Sequence, residues 1–171
     1  MNFKNKILAI SGSTKVNSTN ETLLKMMGEM AKDKYEMNTY PIASLPFFNP
    51  DIDRDGAPKE VLDFRRQIEA ADAVIICTPE YVFSLPGVLK NALEWTVSSS
   101  SFSGRKTALI VASASGEKAF ESLQLIMKTI EAKIDDKTSL LIQGAKGKVD
   151  ANDTHTKEKL ESLMTELLTK L

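Results

Sequence analysis

The stretch "ILAISGSTKVNSTNETLL", Ile7–Leu24, passes from an apolar run through a series of short polar residues into a helical pattern. A short, continuous apolar run is typical of a strand buried on both faces. Apolar residues then recur at helical spacing as far as Ala31, and Ser18 with Glu21 three residues later fits a capping box at the helix start. The segment therefore predicts a strand, a polar loop and a helix in succession.

The rest of the chain repeats this alternation of apolar runs and amphipathic stretches, which indicates a parallel sheet with helices on its faces. Strands are predicted at 6–10, 35–40, 73–77, 106–112 and 138–142, and helices at about 18–31, 58–71, 86–95, 118–132 and 155–171. The segments 41–57 and 144–153 are predicted to be connections without regular structure. We predict a doubly wound, three-layer α/β fold in one domain, residues 1–171, with strand order 2-1-3-4-5.

Composition excludes several classes of function. The chain has 171 residues and a formal net charge of −1, so no electrostatic footprint indicates nucleic acid or an anionic membrane. One cysteine excludes an internal disulfide, and one histidine leaves little material for zinc or a catalytic triad. No apolar run is long enough to span a membrane, and no secretory signal is evident, so we expect a cytoplasmic protein with no membrane partner.

Three polar loops are expected to meet at one edge of the sheet. In open parallel sheets, ligands bind beyond the carboxyl ends of the strands, where the strand order reverses. The loops Ser11–Asn20, Thr78–Pro86 and Ser113–Gly116 follow the first, third and fourth strands. Their convergence predicts a binding crevice at this edge.

The first of these loops has the donors that a phosphate needs. A helix N-terminus offers unpaired amides and partial positive charge, and Ser13, Ser18, Thr19 and Asn20 add polar side chains. The loop matches neither GxxxxGK[ST] nor GxGxxG, so a single terminal phosphate monoester, such as that of FMN, suits it better than a nucleoside triphosphate or a pyrophosphate. A plain capped helix after a serine-rich turn explains the same residues equally well.

The second loop is stiffened by proline and carries aromatic side chains. Pro79 and Pro86 flank Tyr81 and Phe83, and proline restricts the backbone by fixing φ. Such a loop can present amides and an aromatic face to a flat ring. The alternative reading is that both aromatic residues only cover the end of the sheet.

The two loops together resemble the signatures of the NADPH-dependent FMN reductase family, which has a flavodoxin-like fold. The family's first signature, approximately G-S-x-R-x-x-S-x-N, is matched by Gly12–Asn20. The second, T-P-E-Y-N-x-S-x-P-G-x-L-K-N-A-x-D/E-W, is matched almost unbroken by "TPEYVFSLPGVLKNALEW", Thr78–Trp95. Lys15 stands where the family usually has arginine, and Val82 where it usually has asparagine.

The resemblance implies site residues by position. Phosphate contacts are expected from the first loop, ring contacts from the second, and closure of the pyrimidine side from the third. The implied cofactor-binding residues are Ser13, Lys15, Ser18, Thr19, Asn20, Pro79, Glu80, Tyr81, Val82, Phe83, Ser113, Ser115 and Gly116. No catalytic side chain and no metal ligand is implied, because the flavin performs the redox chemistry.

The resemblance also implies an activity. It is that of an FMN-dependent oxidoreductase passing a hydride from NADPH or NADH through flavin N5 to quinone, azo, metal or flavin acceptors by a ping-pong scheme. A small-molecule acceptor and a homodimer or homotetramer are the expected partners. A flavodoxin-type electron carrier and a non-catalytic flavin-binding module remain as alternatives, although the small net charge argues against a carrier.

Overall fold

The computed structural model describes residues 5–150 and 152–169 and has five parallel strands with helices on both faces. The strands are β1 (Asn5–Ser11), β2 (Tyr35–Tyr40), β3 (Ala73–Thr78), β4 (Thr107–Ser113) and β5 (Ser139–Gln143). The sheet order is β2-β1-β3-β4-β5, and every pairing is parallel. The predicted flavodoxin-like, doubly wound fold and its strand order are confirmed.

The described helices include the five that the periodicity predicts and two that it does not. They are α1 (Thr19–Ala31), α2 (Pro50–Gly56), α3 (Lys59–Ala70), α4 (Gly87–Glu94), α5 (Glu117–Thr129), α6 (Ala145–Asp150) and α7 (Thr154–Leu168). The predictions of unstructured connections at 41–57 and 144–153 are wrong where α2 and α6 form. The last two residues of the predicted final helix, Lys170 and Leu171, lie outside the described residues.

Two apolar layers enclose the sheet. On one face, α1, α6 and α7 pack on alternate residues of β1, β3 and β4, while α3, α4 and α5 cover the other face. The interior strands β3 and β4 are almost wholly buried, which explains their continuous apolar sequences. Between them, the layers hold the carboxyl ends of β1, β3 and β4 at one edge.

The helix starts follow local capping chemistry. Ser18 is the N-cap of α1, and its Oγ accepts the Glu21 amide at 3.1 Å. The Glu21 carboxylate accepts the amide of Asn17 at 2.9 Å, so the main return bond of the predicted capping box comes from the residue before the N-cap. Pro58 and Pro86 precede the first residues of α3 and α4. No helix in the described ranges has the length and apolar character needed to cross a bilayer.

Candidate functional site

A cavity of about 370 Å³ lies where the predicted loops meet. It is lined by the loop before α1 and the start of that helix, by the ends of β3 and β4, and by α6. Of the predicted site residues, the cavity brings together Ser13, Lys15, Ser18, Thr19, Asn20, Pro79, Tyr81 and Ser113. Glu80, Val82, Phe83, Ser115 and Gly116 do not line it.

The loop before α1 carries unused main-chain donors. Within the described residues, the amides of Thr14, Val16, Thr19 and Asn20 have no hydrogen-bond acceptor. Some of the other loop amides donate to side chains of the protein. The Lys15 amide, for example, donates to Ser13 Oγ at 3.3 Å. Unpaired amides at the N-terminus of a helix bind anions. This donor set therefore fits a phosphate monoester.

Gly12 allows the loop to turn close to the sheet. Its amide donates to the Cys77 carbonyl at 2.9 Å. A Cβ at this position would lie 2.1 Å from Oγ1 of Thr78, which is completely buried. A glycine is therefore required by packing rather than by its φ.

Asn20 is buried, and both ends of its side-chain amide are engaged within the protein. Its Nδ2 donates to the Ala112 carbonyl at 3.3 Å, and the thiol of Cys77 donates to its Oδ1 at 3.2 Å. Burial raises the pKa of that thiol, so Cys77 stays protonated and acts as a donor. Asn20 thereby joins α1 to the ends of β3 and β4.

Glu80 joins the loop after β3 to the start of α5. Its carboxylate accepts the Ala119 amide at 2.9 Å and the Gly116 amide at 3.1 Å. The hydrogen bond from Ala119 is the largest cause of the lowered pKa of Glu80, and those from Gly116 and Lys118 add to it against the opposing effect of burial. Two amides at the N-terminus of α5, those of Gly116 and Ala119, are thus occupied by a carboxylate of the same chain.

The second loop forms a tight hairpin turn. Tyr81 and Ser84 exchange two main-chain hydrogen bonds of 3.0 and 3.1 Å. The two residues between them have positive φ, 51° at Val82 and 56° at Phe83, as in a type I′ turn. Both side chains point into open solvent, with 96% and 78% of their surfaces exposed. The left-handed conformation explains why asparagine suits position 82, since asparagine tolerates it better than valine does.

Sequence reasoning missed the wall formed by α6. Gly144, Ala145, Lys146 and Gly147 line the cavity opposite the start of α1. Neither Lys15 nor Lys146 has a carboxylate partner among residues 5–150 and 152–169, so both cations are available to an anion in the cavity. Helix α6 is too short for a helical periodicity to appear in the sequence. Only its position directly after β5 indicates that it lies at the carboxyl edge of the sheet.

A larger cavity of about 1250 Å³ follows α1 and the edge strand β2. Among the described residues, it shares only Ser13 and Lys15 with the cavity described above, and it lies mainly away from the ends of β3 and β4. The smaller cavity is therefore the better candidate, because it joins the polar loops at the topological switch point.

Comparison with known proteins gives matches over most of the chain. A profile described as NADPH-dependent FMN reductase matches residues 5–143. The chain is 32% identical over 168 residues to the NAD(P)H-dependent FMN reductase PA1204 of Pseudomonas aeruginosa, covering 95% of this chain and 91% of that protein. It is 31% identical to a 2-hydroxy-1,4-benzoquinone reductase from Burkholderia sp., covering 86% of this chain and 83% of that protein.

Solved structures show the same architecture. The flavoenzyme NAD(P)H:(acceptor) oxidoreductase FerB of Paracoccus denitrificans superposes with a TM-score of 0.76 at 26% identity, covering 95% of this chain and 94% of that one. A flavodoxin from the domain Archaea gives a TM-score of 0.67 at 11% identity, with 96% and 97% covered, which shows the fold alone. The chain belongs to the NADPH-dependent FMN reductase family and is an oxidoreductase that uses FMN and NAD(P)H.

Proposed function

We propose that this enzyme reduces small, flat acceptors of the quinone type with electrons from NAD(P)H, using FMN held in the 370 Å³ cavity. The observation that carries the proposal is the set of unpaired amides at Thr14, Val16, Thr19 and Asn20, beside the proline-stiffened second loop. FMN, when bound, supplies the two-electron redox chemistry. The protein's part is to bind FMN, to orient it and to shield it.

The phosphate end is assigned to the first loop. The open amides, the Ser13, Ser18 and Thr19 hydroxyls, and the cations of Lys15 and Lys146 would surround it. A lysine makes a point-charge contact rather than the two-pronged contact of arginine, so the amides carry most of the specificity. We assign Asn20 a positioning role, because its side-chain amide is already engaged with Cys77 and Ala112.

The ring end is assigned to the space between the second and third loops. Pro79 and Tyr81 form one wall, and Ser113 with Ala114 forms the other. No histidine or cysteine is among the described residues that line the cavity. Water that reaches the site through its open rim can therefore supply the protons for the reduced acceptor.

A shared pocket for donor and acceptor implies a ping-pong scheme. If donor and acceptor use the same space beside the flavin ring, NADP⁺ or NAD⁺ would leave before the acceptor enters. We also propose a homodimer, supported by the exposed apolar side chains of Phe47, Val82 and Phe83 on loops at the carboxyl edge. Sedimentation velocity would test it, because a monomer across the micromolar range would contradict the dimer.

The deciding experiment is anaerobic reduction of the FMN-loaded protein. Adding NADPH or NADH should bleach the visible flavin absorbance rapidly, and 1,4-benzoquinone should restore it. Initial rates at several donor and acceptor concentrations should give parallel double-reciprocal lines. Failure to retain FMN would overturn the proposal, and slow bleaching by both nucleotides would favour an electron carrier. Intersecting lines would exclude the ping-pong scheme.

A further inference from the structure

Helix α5 has no cap of its own. Its N-cap residue is Gly116, which has no side chain to accept the amides of the first turn. Gly116 has φ +93°, and a Cβ there would lie 2.9 Å from Leu141 and 3.0 Å from Val111. A serine, threonine or aspartate, the usual capping residues, therefore does not fit at this position.

The missing cap comes from another loop. The Glu80 carboxylate accepts the Gly116 amide through Oε1 and the Ala119 amide through Oε2. Glu80 lies 36 residues from Gly116 in the chain, in the loop just after β3. One carboxylate therefore fixes the loop after β3 to the helix after β4 by two charge-assisted hydrogen bonds, which are stronger than neutral ones.

This bridge lies between the walls assigned to the flavin ring. Pro79 and Tyr81, the chain neighbours of Glu80, line one side of the cavity, and Ser113 and Ala114, just before Gly116, line the other. Glu80 itself does not line the cavity. Its carboxylate thus acts on the spacing of the walls rather than on a ligand directly.

We propose that Glu80 is a positioning residue whose carboxylate sets the width of the slot that receives the isoalloxazine ring, by capping α5 from the opposite wall. The proposal rests on the FMN site proposed above and deepens it. It assigns the Glu80 side chain to the α5 cap, whereas the phosphate end depends on the loop before α1.

Flavin titration of two variants tests the proposal without measuring turnover. Glu80→Ala should weaken binding of both FMN and riboflavin by the same factor, at least tenfold, because the ring end is common to both ligands. It should also change the visible circular dichroism of the bound flavin. Glu80→Gln, which keeps one acceptor oxygen, should fall between Glu80→Ala and the wild type. Glu121→Gln, on an exposed face of the same helix, is the matched control and should change neither quantity.

Several outcomes would overturn the proposed role of Glu80. The proposal is wrong if Glu80→Ala binds both flavins within twofold of the wild-type affinity and the visible circular dichroism of the bound flavin is unchanged. This holds even if the melting temperature of the variant falls. A loss confined to FMN would place Glu80 at the phosphate end instead. If Glu80→Ala does not fold, unchanged binding and spectrum in Glu80→Gln decide against the proposal. If the wild-type protein binds neither flavin, the proposed function is refuted, and the proposed role of Glu80 is refuted with it.

Discussion

Single residues in this protein are selected by conformation and packing as much as by chemistry. Val82 occupies a left-handed position where asparagine is usual in the family, and Gly12 is required because Thr78 leaves no room for a Cβ. Ser18 combines two roles, since it caps α1 and lines the cavity. Two substitutions test these roles: one tests backbone strain at Val82, and the other tests FMN binding at Ser18.

Replacing Val82 with asparagine should stabilise the protein. A left-handed conformation costs an L-residue roughly 1–2 kcal/mol, and more when the side chain is β-branched, while the 96% exposed valine contributes no core packing. We expect Val82→Asn to raise the free energy of unfolding by about 1 kcal/mol in urea denaturation. Val97→Asn, at an exposed valine without positive φ, is the control. Equal effects of the two substitutions would show that strain at position 82 is not relieved.

Replacing Ser18 with alanine should weaken FMN binding but spare riboflavin. The substitution removes a hydroxyl from the cavity and the acceptor of the Glu21 amide. A lost cap and hydrogen bond cost roughly 1–2 kcal/mol, so the Kd for FMN should rise about 5- to 30-fold in a fluorescence titration. Riboflavin lacks the phosphate and serves as the ligand control. Equal losses for both flavins would argue against a phosphate contact.

At the scale of elements, long periodic segments were predictable and short ones were not. All five strands, and α1, α3, α4, α5 and α7, follow the predicted spans closely. The helices α2 and α6 have seven and six residues, too few for a helical period to appear in the sequence. Both depend on tertiary contacts: Asp53 ties α2 to Arg65 of α3, and Ala145 buries α6 against α1 and α7.

The wall formed by α6 should contribute to FMN binding through Lys146. This lysine lines the cavity, whereas Lys148 on the same helix does not. An exposed point charge near a phosphate is worth roughly 0.5–1 kcal/mol and is screened by salt. Lys146→Ala should therefore raise the Kd for FMN about two- to fivefold at low ionic strength and less at high ionic strength. The same change for Lys148→Ala would mean that only net charge matters.

At the scale of the whole molecule, a few buried or bridging carboxylates join distant segments. Asp53 of α2, with 8% of its side chain exposed, accepts from Arg65 at 2.7 Å and from Ser98 at 2.6 Å. Arg65 also donates to the Trp95 carbonyl. Burial alone would raise the pKa of Asp53, but the hydrogen bonds from Ser98 and Arg65 outweigh it and lower the pKa overall. This network holds α2 against α3 and the segment after α4.

Acid should destabilise the protein through these carboxylates. A carboxyl whose pKa is lower in the folded state contributes stability above its ordinary value, 3.8 for Asp53, and loses it as pH falls through the folded pKa. Asp53→Asn should cost about 3 kcal/mol at neutral pH, because it breaks a buried pair, and should flatten the loss of unfolding free energy between neutral and acidic pH. Asp51→Asn, on the exposed face of α2, should leave the pH dependence unchanged. If the unfolding free energy of Asp53→Asn depends on pH as steeply as that of the wild type, Asp53 is not the source of the acid sensitivity.

The amino-acid sequence was sufficient to predict the fold and the family. Apolar strands, amphipathic helices and two loop motifs are local patterns, and 2-1-3-4-5 is a common strand order for a five-stranded doubly wound sheet. It also predicted which loops meet, since the carboxyl ends of parallel strands share one edge. Thirteen site residues were named by position along the chain, without their side-chain directions.

Only the tertiary structure decided which of those residues line the cavity. Asn20 is engaged with Cys77 and Ala112, Glu80 caps a helix from the opposite wall, and Lys146 enters from α6. These arrangements join residues that lie tens of positions apart. Their free energies depend on which groups become neighbours after folding, and no local pattern in the chain encodes that pairing.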